Sequence, residues 1–379
     1  MSRVRGGPAS GVPEGDRDPM RGLVWGLPDA LERHWERALR LPGWSLDRWP
    51  DGIVLLGMGG SAFAGLLLRA ILRPSAPVPI ACVTEPDLPG WAGPSSLAVA
   101  SSYSGRTWET LQALRQVRDR GIGWRAVASG GTLADLARAG GAPLLEMDAG
   151  RPPRSMSPPA LMGLLALFER LLPDVVGAVG EAIDGVAGDL ADWGADEGGA
   201  PEEGEDLETS AARSPAALAR RLQGRTPILY GWGELGEAVA YRWMCQLAEN
   251  AKTASHAHRL PEVFHNEILA WEDWAAHLPP PLVLFLECAE ERRPEGPPVA
   301  GVSRERVEEE LARSGLESVR VPAPAGGPLA RALRQVVLGD AVSVLLAEQK
   351  GVAATPVEAL ERLKRDVEAG ADAGRRKIP

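Results

Sequence analysis

Between residues 52 and 148 short apolar runs alternate with stretches whose apolar residues recur every three or four positions. The runs GIVLLGM (52–58), VPIACVTE (78–85), LAVASSY (97–103), WRAVASG (124–130) and APLLEMD (142–148) predict strands. LPDALERHWERALRL (27–41), SAFAGLLLRAILR (61–73) and TWETLQALRQVRDRG (107–121) predict helices. Strands separated by helices imply βαβ units, so the predicted class is α/β with a parallel sheet. A second set of the same kind begins at TPILYGWG (226–233), with further strands at PLVLFLEC (281–288) and SVRVPAP (318–324) and helices starting near 234, 304, 330 and 356. Between the two sets, residues 185–214 are rich in Gly, Ala, Asp and Glu and poor in large apolar side chains. The expected organisation is a disordered leader over 1–22, a first α/β domain over 23–184, an acidic flexible linker or insertion over 185–214, and a second α/β domain over 215–379.

Composition narrows the classes of partner. With 379 residues and 45% hydrophobic content, the chain is long enough for two domains with real cores. The formal charge of −10 and the lack of any Lys/Arg block argue against a nucleic-acid surface. Cys82, Cys245 and Cys288 are far apart and form no CxxC pair, as expected of reduced thiols in cytoplasm. The N-terminal stretch has no apolar core of the kind a signal peptide needs. The longest apolar stretch, from Ala160, is broken by Glu169, Arg170, Pro173 and Asp174, so no membrane span is expected.

Two strand-to-helix junctions carry candidate chemistry. In GMGGSAFAG a strand runs into Gly57, Gly59, Gly60 and Ser61 before a helix, which suits the close approach of an anion to helix N-terminal amides. The same glycines would serve a plain tight turn. In LAVASSYSGRTWET, Ser101, Ser102, Ser104, Thr107 and Thr110 surround Gly105 at a second junction. Thr107 and Thr110 could act as local caps, yet one cap does not need four hydroxyls. If the two strands are neighbours, both loops point into one crevice at their carboxyl ends, where open α/β sheets bind ligands. The pair then describes a site for a monoester phosphate, held by helix dipoles, amides and hydroxyls without a lysine.

Downstream, QLAENAKTASHAHRLPEVFHNEILAWED (246–273) holds His256, His258 and His265, three of the five histidines. His256 and His258 could face one side of a strand, but no third ligand stands at metal spacing, and no metal is expected. GWGELG (231–236) matches GxGxxG, which alone is a weak dinucleotide signal; Glu249 lies near the distance expected of a ribose-binding acid but within a helical pattern. His34 and His277 read as surface or packing residues.

Taken in order, GMGGSA, SYSGRTWET, ENAK, HNEI and ERLK resemble the bifunctional phosphoglucose/phosphomannose isomerases of the sugar isomerase (SIS) superfamily. The resemblance implies two SIS domains of flavodoxin-like fold and a homodimer with shared active sites. It implies that Gly60 and Ser61, with Ser102, Ser104 and Thr107, hold the phosphate of a sugar 6-phosphate. By the same resemblance Arg154 stabilises the enediolate, Glu249 is the base and Lys364 is an active-site lysine. His265 opens the ring from the partner subunit, and Thr355 corresponds to a residue linked to acceptance of the mannose epimer. No cofactor is required by that chemistry: a near-neutral imidazole suits ring opening, a desolvated carboxylate carries a proton between C1 and C2, and an arginine holds charge that develops in the transition state. Arg106 departs from the family's usual polar residue, and the acidic segment is longer than a linker needs. The rival readings are a SIS-type sugar-phosphate sensor and an isomerase of another sugar phosphate.

Overall fold

The first group of apolar runs forms a five-stranded parallel sheet and the second a four-stranded one. The computed structural model describes residues 18–195, 214–271, 280–288 and 304–363. In chain order, α1 (Pro19–Trp25) and α2 (Leu27–Leu39) precede β1 (Ile53–Leu56), α3 (Gly60–Leu72), β2 (Ile80–Val83) and β3 (Leu97–Ser101). Then come α4 (Trp108–Asp119), β4 (Gly123–Ala128), α5 (Gly131–Gly140) and β5 (Leu144–Glu146). A 3₁₀ turn, Pro153–Met156, leads into α6 (Ser157–Leu165), α7 (Pro173–Gly177) and α8 (Val179–Ala195). The second group comprises α9 (Pro215–Leu222), β6 (Thr226–Trp232), α10 (Gly233–Glu249), β7 (His256–Leu260) and β8 (Pro281–Leu286). It ends with α11 (Arg304–Arg313), β9 (Glu317–Val321) and α12 (Pro328–Lys350), followed by helical residues 358–363.

Strand order is β2-β1-β3-β4-β5 in the first sheet and β7-β6-β8-β9 in the second. In both, the first strand lies between the second and third, so each sheet has its order reversal between adjacent strands: β1 and β3, and β6 and β8. Such a reversal opens a crevice at the carboxyl ends of the strands. The likeness of the two glycine-rich openings thus corresponds to a shared sheet order.

The central strands β1, β3, β6 and β8 are apolar at nearly every position because both faces are covered. Ile53, Leu55, Leu97 and Val99 face a central core that also takes Leu229, Leu282, Leu284 and Leu286 from the second sheet. The alternate residues Val54, Leu56, Ala98 and Ala100 pack under α4 and α5, and Ile228, Tyr230, Val283 and Phe285 pack on the far face of the second sheet. The central core is therefore continuous across both sheets, and α12 runs through it against α8, α9 and α10.

The structure departs from expectation at several places. Residues 18–22, expected in the leader, are ordered: the Asp18 side chain caps Met20 N at 2.9 Å, Pro19 starts α1, and Met20 and Val24 are buried. Residues 185–195 of the expected acidic linker continue α8, whose Val186 and Leu190 face the core. Residues 196–213 lie outside the described residues, as does residue 277. His34 is a fully buried packing residue. The strand β7 carries the polar sequence HAHRL on an edge and shows no apolar alternation. The glycines of GWGELG serve packing: a Cβ on Gly231 would lie 2.0 Å from the Gly236 carbonyl oxygen. Among the described residues no helix is long and apolar enough to cross a membrane.

Candidate active site

The strands β1 and β3 are hydrogen-bonded neighbours, so the two hydroxyl-bearing junctions do meet. Gly60 opens α3 and Ser61 follows it, half-buried. A Cβ on Gly60 would lie 2.5 Å from Ser157 Oγ and 3.6 Å from the Arg154 Cα, which brings this helix start against the turn that carries Arg154. A small cavity between them is lined by Gly60, Ser61, Ser101, Tyr103, Pro153 and Ser157.

At the second junction Thr107 is the N-cap residue of α4, but its side chain makes no capping bond. Its hydroxyl instead meets Ser102 Oγ at 2.8 Å, and Ser102 Oγ also accepts from Thr107 N at 3.4 Å. Ser102 is buried, and Ser104 is exposed with its Oγ accepting from Arg106 N at 3.3 Å. The turn depends on Gly105 (φ 66°), where a Cβ would clash with the Gly130 carbonyl oxygen at 1.8 Å. Neither α3 nor α4 has a side-chain cap, so each turns the positive end of a helix dipole to the junction, although in α3 the amides of Ser61 and Ala62 already donate to the Met58 carbonyl oxygen at 3.1 and 3.4 Å. Arg106 is exposed beside this loop.

Arg154 is buried, and its donors fan out to two segments, 249–250 and 354–355. Nε donates to Asn250 Oδ1 at 2.7 Å, and Nη2 donates to the carbonyl oxygens of Ala354 at 2.8 Å and Thr355 at 3.0 Å. Nη1 points to Glu249 Oε2 at 3.5 Å. Glu249 ends α10 and keeps 30% of its side chain exposed, so the carboxylate reaches the surface beside a buried cation. Burial lowers the pKa of Arg154 from its ordinary value, opposed by the Glu249 charge.

Beneath Arg154 lies a buried ion pair. Arg242 grips Asp340 in a bidentate pair, Nε to Oδ1 at 3.0 Å and Nη2 to Oδ2 at 2.8 Å. Arg242 Nη2 also donates to the Arg154 carbonyl oxygen at 2.8 Å, and Nη1 to Ser157 Oγ at 3.4 Å. Burial drives the Asp340 carboxyl above its ordinary pKa, and the adjacent guanidinium opposes it. Asn250 Nδ2 donates to Ser343 Oγ at 2.9 Å, which in turn donates to the Asp340 carbonyl oxygen at 2.7 Å.

The 354–356 turn is held from outside as well. Asp18 accepts from Thr355 N at 2.9 Å and from the Thr355 hydroxyl. Burial pushes the Asp18 carboxyl up, but the Thr355 hydrogen bonds outweigh it and hold its pKa below the ordinary value. Lys252 Nζ donates to the carbonyl oxygens of Glu249 at 2.6 Å, Ala354 at 3.3 Å and Pro356 at 2.9 Å.

The structure therefore brings Gly60, Ser61, Arg154, Glu249 and Thr355 into one neighbourhood. It does not bring His265 there. His265 is exposed at the end of a short 3₁₀ turn, Glu262–His265, and among the described residues no hydrogen bond or ion pair joins it to Glu249 or Arg154. Its neighbour Glu267 is anchored instead, accepting from Tyr230 Oη at 2.6 Å and facing His258 Nδ1 at 2.9 Å. Lys364 lies outside the described residues. Among the described residues no three His, Cys, Asp or Glu side chains cluster to hold a metal ion.

Asp18, Arg242, Asp340 and Ser343 were not singled out in the sequence, and Asn250 and Lys252 entered only as part of ENAK. The available signal was a charge inside an apolar helical run: Arg242 beside Val239 and Trp243, and Asp340 within VVLGDAVSVLL. Asp18-Pro19 is likewise a legible helix start.

Known proteins resemble this chain over most of its length. Residues 212–367 match the family described as bacterial phospho-glucose isomerase C-terminal SIS domain. A bifunctional phosphoglucose/phosphomannose isomerase of Caldicellulosiruptor bescii is 28% identical over 342 residues, covering 90% of this chain and 96% of its own. The enzyme of the same name from Aquifex aeolicus is 28% identical over 83% of this chain and 90% of its own. A solved structure from Thermus thermophilus superposes with a TM-score of 0.65 at 18% identity, covering 94% of this chain and 92% of that one. Over most of its length the chain is thus similar to the bifunctional phosphoglucose/phosphomannose isomerases, and its residues 212–367 match their C-terminal SIS domain.

Proposed function

We propose that the protein interconverts glucose 6-phosphate, and mannose 6-phosphate, with fructose 6-phosphate through a cis-enediolate. The observation that carries this reading is the pairing of Arg154 with Glu249: a buried guanidinium points one donor at a partly exposed carboxylate, 3.5 Å away, beside two uncapped helix N-termini. In this reading Gly60, Ser61, Ser102, Ser104 and Thr107 hold the phosphate. A dianion needs amides, hydroxyls and dipoles at this junction, and no lysine.

Glu249 takes the proton from C2 of the aldose and returns it to C1. Mannose and glucose 6-phosphate, epimers at C2, give the same enediolate, and one base serves both if the reacting carbons turn to offer either C2 hydrogen to it. Arg154 faces the charge that appears on the oxygens only as the proton leaves, and so acts on the transition state. In this reading Thr355, whose carbonyl oxygen accepts from Arg154, is the residue that meets the C2 hydroxyl. Lys364 acts in the same site.

The exposed position of His265 supports a homodimer in which each subunit lends this imidazole to its partner's site for ring opening. An imidazole has one ring nitrogen that can donate and one that can accept, as ring opening requires. The subunit consists of two SIS domains, 23–184 and 215–379, and works in the cytoplasm on soluble sugar phosphates, with no nucleic-acid or membrane partner. No cofactor is needed for proton transfer between adjacent carbons.

The test is a coupled assay of the purified protein on glucose 6-phosphate and mannose 6-phosphate, with Glu249→Gln alongside. Wild type is expected to turn over both, and Glu249→Gln to lose on the order of 10²–10⁴ in kcat. Binding of both sugars without turnover would favour the sensor instead. Mixing inactive Glu249→Gln with inactive His265→Ala subunits should restore part of the activity if each site draws on two chains.

A further inference from the structure

A buried cation ordinarily sits against a carboxylate, because desolvating a charge without a counterion is costly. Arg154 departs from this. Its Nε meets an amide oxygen, that of Asn250, and its Nη2 meets two main-chain carbonyls. The nearest formal negative charge on the inward side, Asp340, is already taken in a bidentate pair by Arg242, which then holds Arg154 only through its carbonyl oxygen. The guanidinium is thus oriented on every buried side by neutral dipoles, and its one donor toward an anion faces Glu249 at the open side.

We propose that Asn250 is a positioning residue that aims the Arg154 guanidinium without adding a second carboxylate to that of Glu249, so that its charge stays available to the anion forming on the substrate; this rests on the reading of Arg154 given above. A carboxylate at the same place would align Nε equally well but would form an ion pair at 2.7 Å and neutralise the charge.

The orientation of the Asn250 amide is dictated by its surroundings. Arg154 has only donors, so the oxygen of the amide must face it. On the other side, Ser343 spends its single proton on the Asp340 carbonyl oxygen at 2.7 Å, so its oxygen can only accept, and the amide nitrogen must face it. Asn250 and Ser343 are both fully buried, so water cannot substitute for either partner. Donation therefore runs in one direction, from Arg154 through Asn250 and Ser343, and ends on a neutral acceptor, the Asp340 carbonyl oxygen.

The test compares wild type, Asn250→Asp and Ser343→Ala with two ligands that share the phosphate but differ in charge at the reacting end: an aldonate phosphate and an alditol phosphate. Binding is read by calorimetry, alongside kcat and KM. Asn250→Asp should abolish the preference for the aldonate and lower kcat about 100-fold, the scale of one lost electrostatic contact to a transition state, while alditol phosphate affinity and KM move less than about threefold. Ser343→Ala, which frees the amide to turn, should shift the same ratio in the same direction by less, and it decides the matter if Asn250→Asp does not fold. The proposal is overturned if the aldonate preference persists in both variants, or if both ligands weaken together in step with a fall in melting temperature. Should wild type bind both ligands yet turn over neither sugar phosphate, the isomerase reading fails, and the ligand ratio still decides the role of Asn250.

Discussion

Ser102 and Thr107 face each other across the turn between β3 and α4, with their hydroxyl oxygens 2.8 Å apart. Thr107 occupies the position at which a threonine ordinarily caps its own helix, yet its side chain bonds sideways to Ser102 and leaves the α4 amides unoccupied. A phosphate bound there would receive hydroxyl and amide donors together. Ser102→Ala or Thr107→Val is expected to raise KM for the sugar phosphate roughly 10-fold, the effect of about 1.5 kcal/mol for a hydrogen bond to a charged group, with little change in kcat. Inorganic phosphate should weaken as a competitive inhibitor in parallel. Unchanged KM in both variants would remove this loop from the phosphate site.

The Arg242–Asp340 pair is nearly inaccessible to water, with side-chain exposures of 2% and 5%. Asp340→Ala leaves a buried guanidinium without its counterion and should cost about 3–5 kcal/mol, read as a lower midpoint in urea. The double variant Arg242→Met/Asp340→Leu removes both charges and should recover most of that stability. It should not recover activity, because the bond from Arg242 to the Arg154 carbonyl oxygen goes with it. Full activity in the double variant would show that the pair serves stability alone.

Asp18 ties the N-terminal helix to the turn before the C-terminal helix through both the amide and the hydroxyl of Thr355. Because its folded pKa lies below the unfolded value of 3.8, the tie stabilises the protein above that pH and is lost as pH falls through the folded value. Asp18→Asn should lower stability by about 1 kcal/mol at neutral pH, with the loss shrinking in acid. Acid unfolding followed by circular dichroism checks this; parallel curves for the two proteins would contradict it.

His34 is fully buried, its Nδ1 donating to the Ala30 carbonyl oxygen at 2.8 Å while Nε2 faces the Asp148 amide at 3.4 Å and an Arg37 guanidinium nitrogen at 3.4 Å. That surrounding assigns the proton to Nδ1 and leaves Nε2 to accept. Burial lowers its pKa below 6.5, assisted by Arg37 and Arg33 and opposed by the Ala30 carbonyl and Asp148. The unfolded chain then binds the proton more readily, so the stability is complete above about pH 6.5 and falls as the pH drops below it. Urea midpoints at about pH 7 and about pH 5.5 should differ for wild type and differ less for His34→Gln.

Much of the fold was legible in the residues, because a strand buried on both faces must be apolar throughout and a helix on the core must repeat its apolar residues every three to four. The runs at 52–58, 97–103 and 281–288 contain β1, β3 and β8 for that reason. The edge strand β7 was legible only as a possible strand carrying His256 and His258, because these and Arg259 are exposed and give no apolar alternation. The hydroxyl loop and the ENAK acid were likewise visible, since each is a compact local pattern.

What only the tertiary structure decided is how the charge beneath the site is arranged. Arg154 meets Asn250 across 96 residues, Arg242 meets Asp340 across 98, and Asp18 meets Thr355 across 337. Nothing local marks these partners, because each bond exists only where packing of α1, α10 and α12 around one core brings their side chains within hydrogen-bonding reach and excludes the water that would otherwise satisfy them. Sequence periodicity determined which faces are buried; the closing of those faces on one another determined which buried polar groups had to find each other.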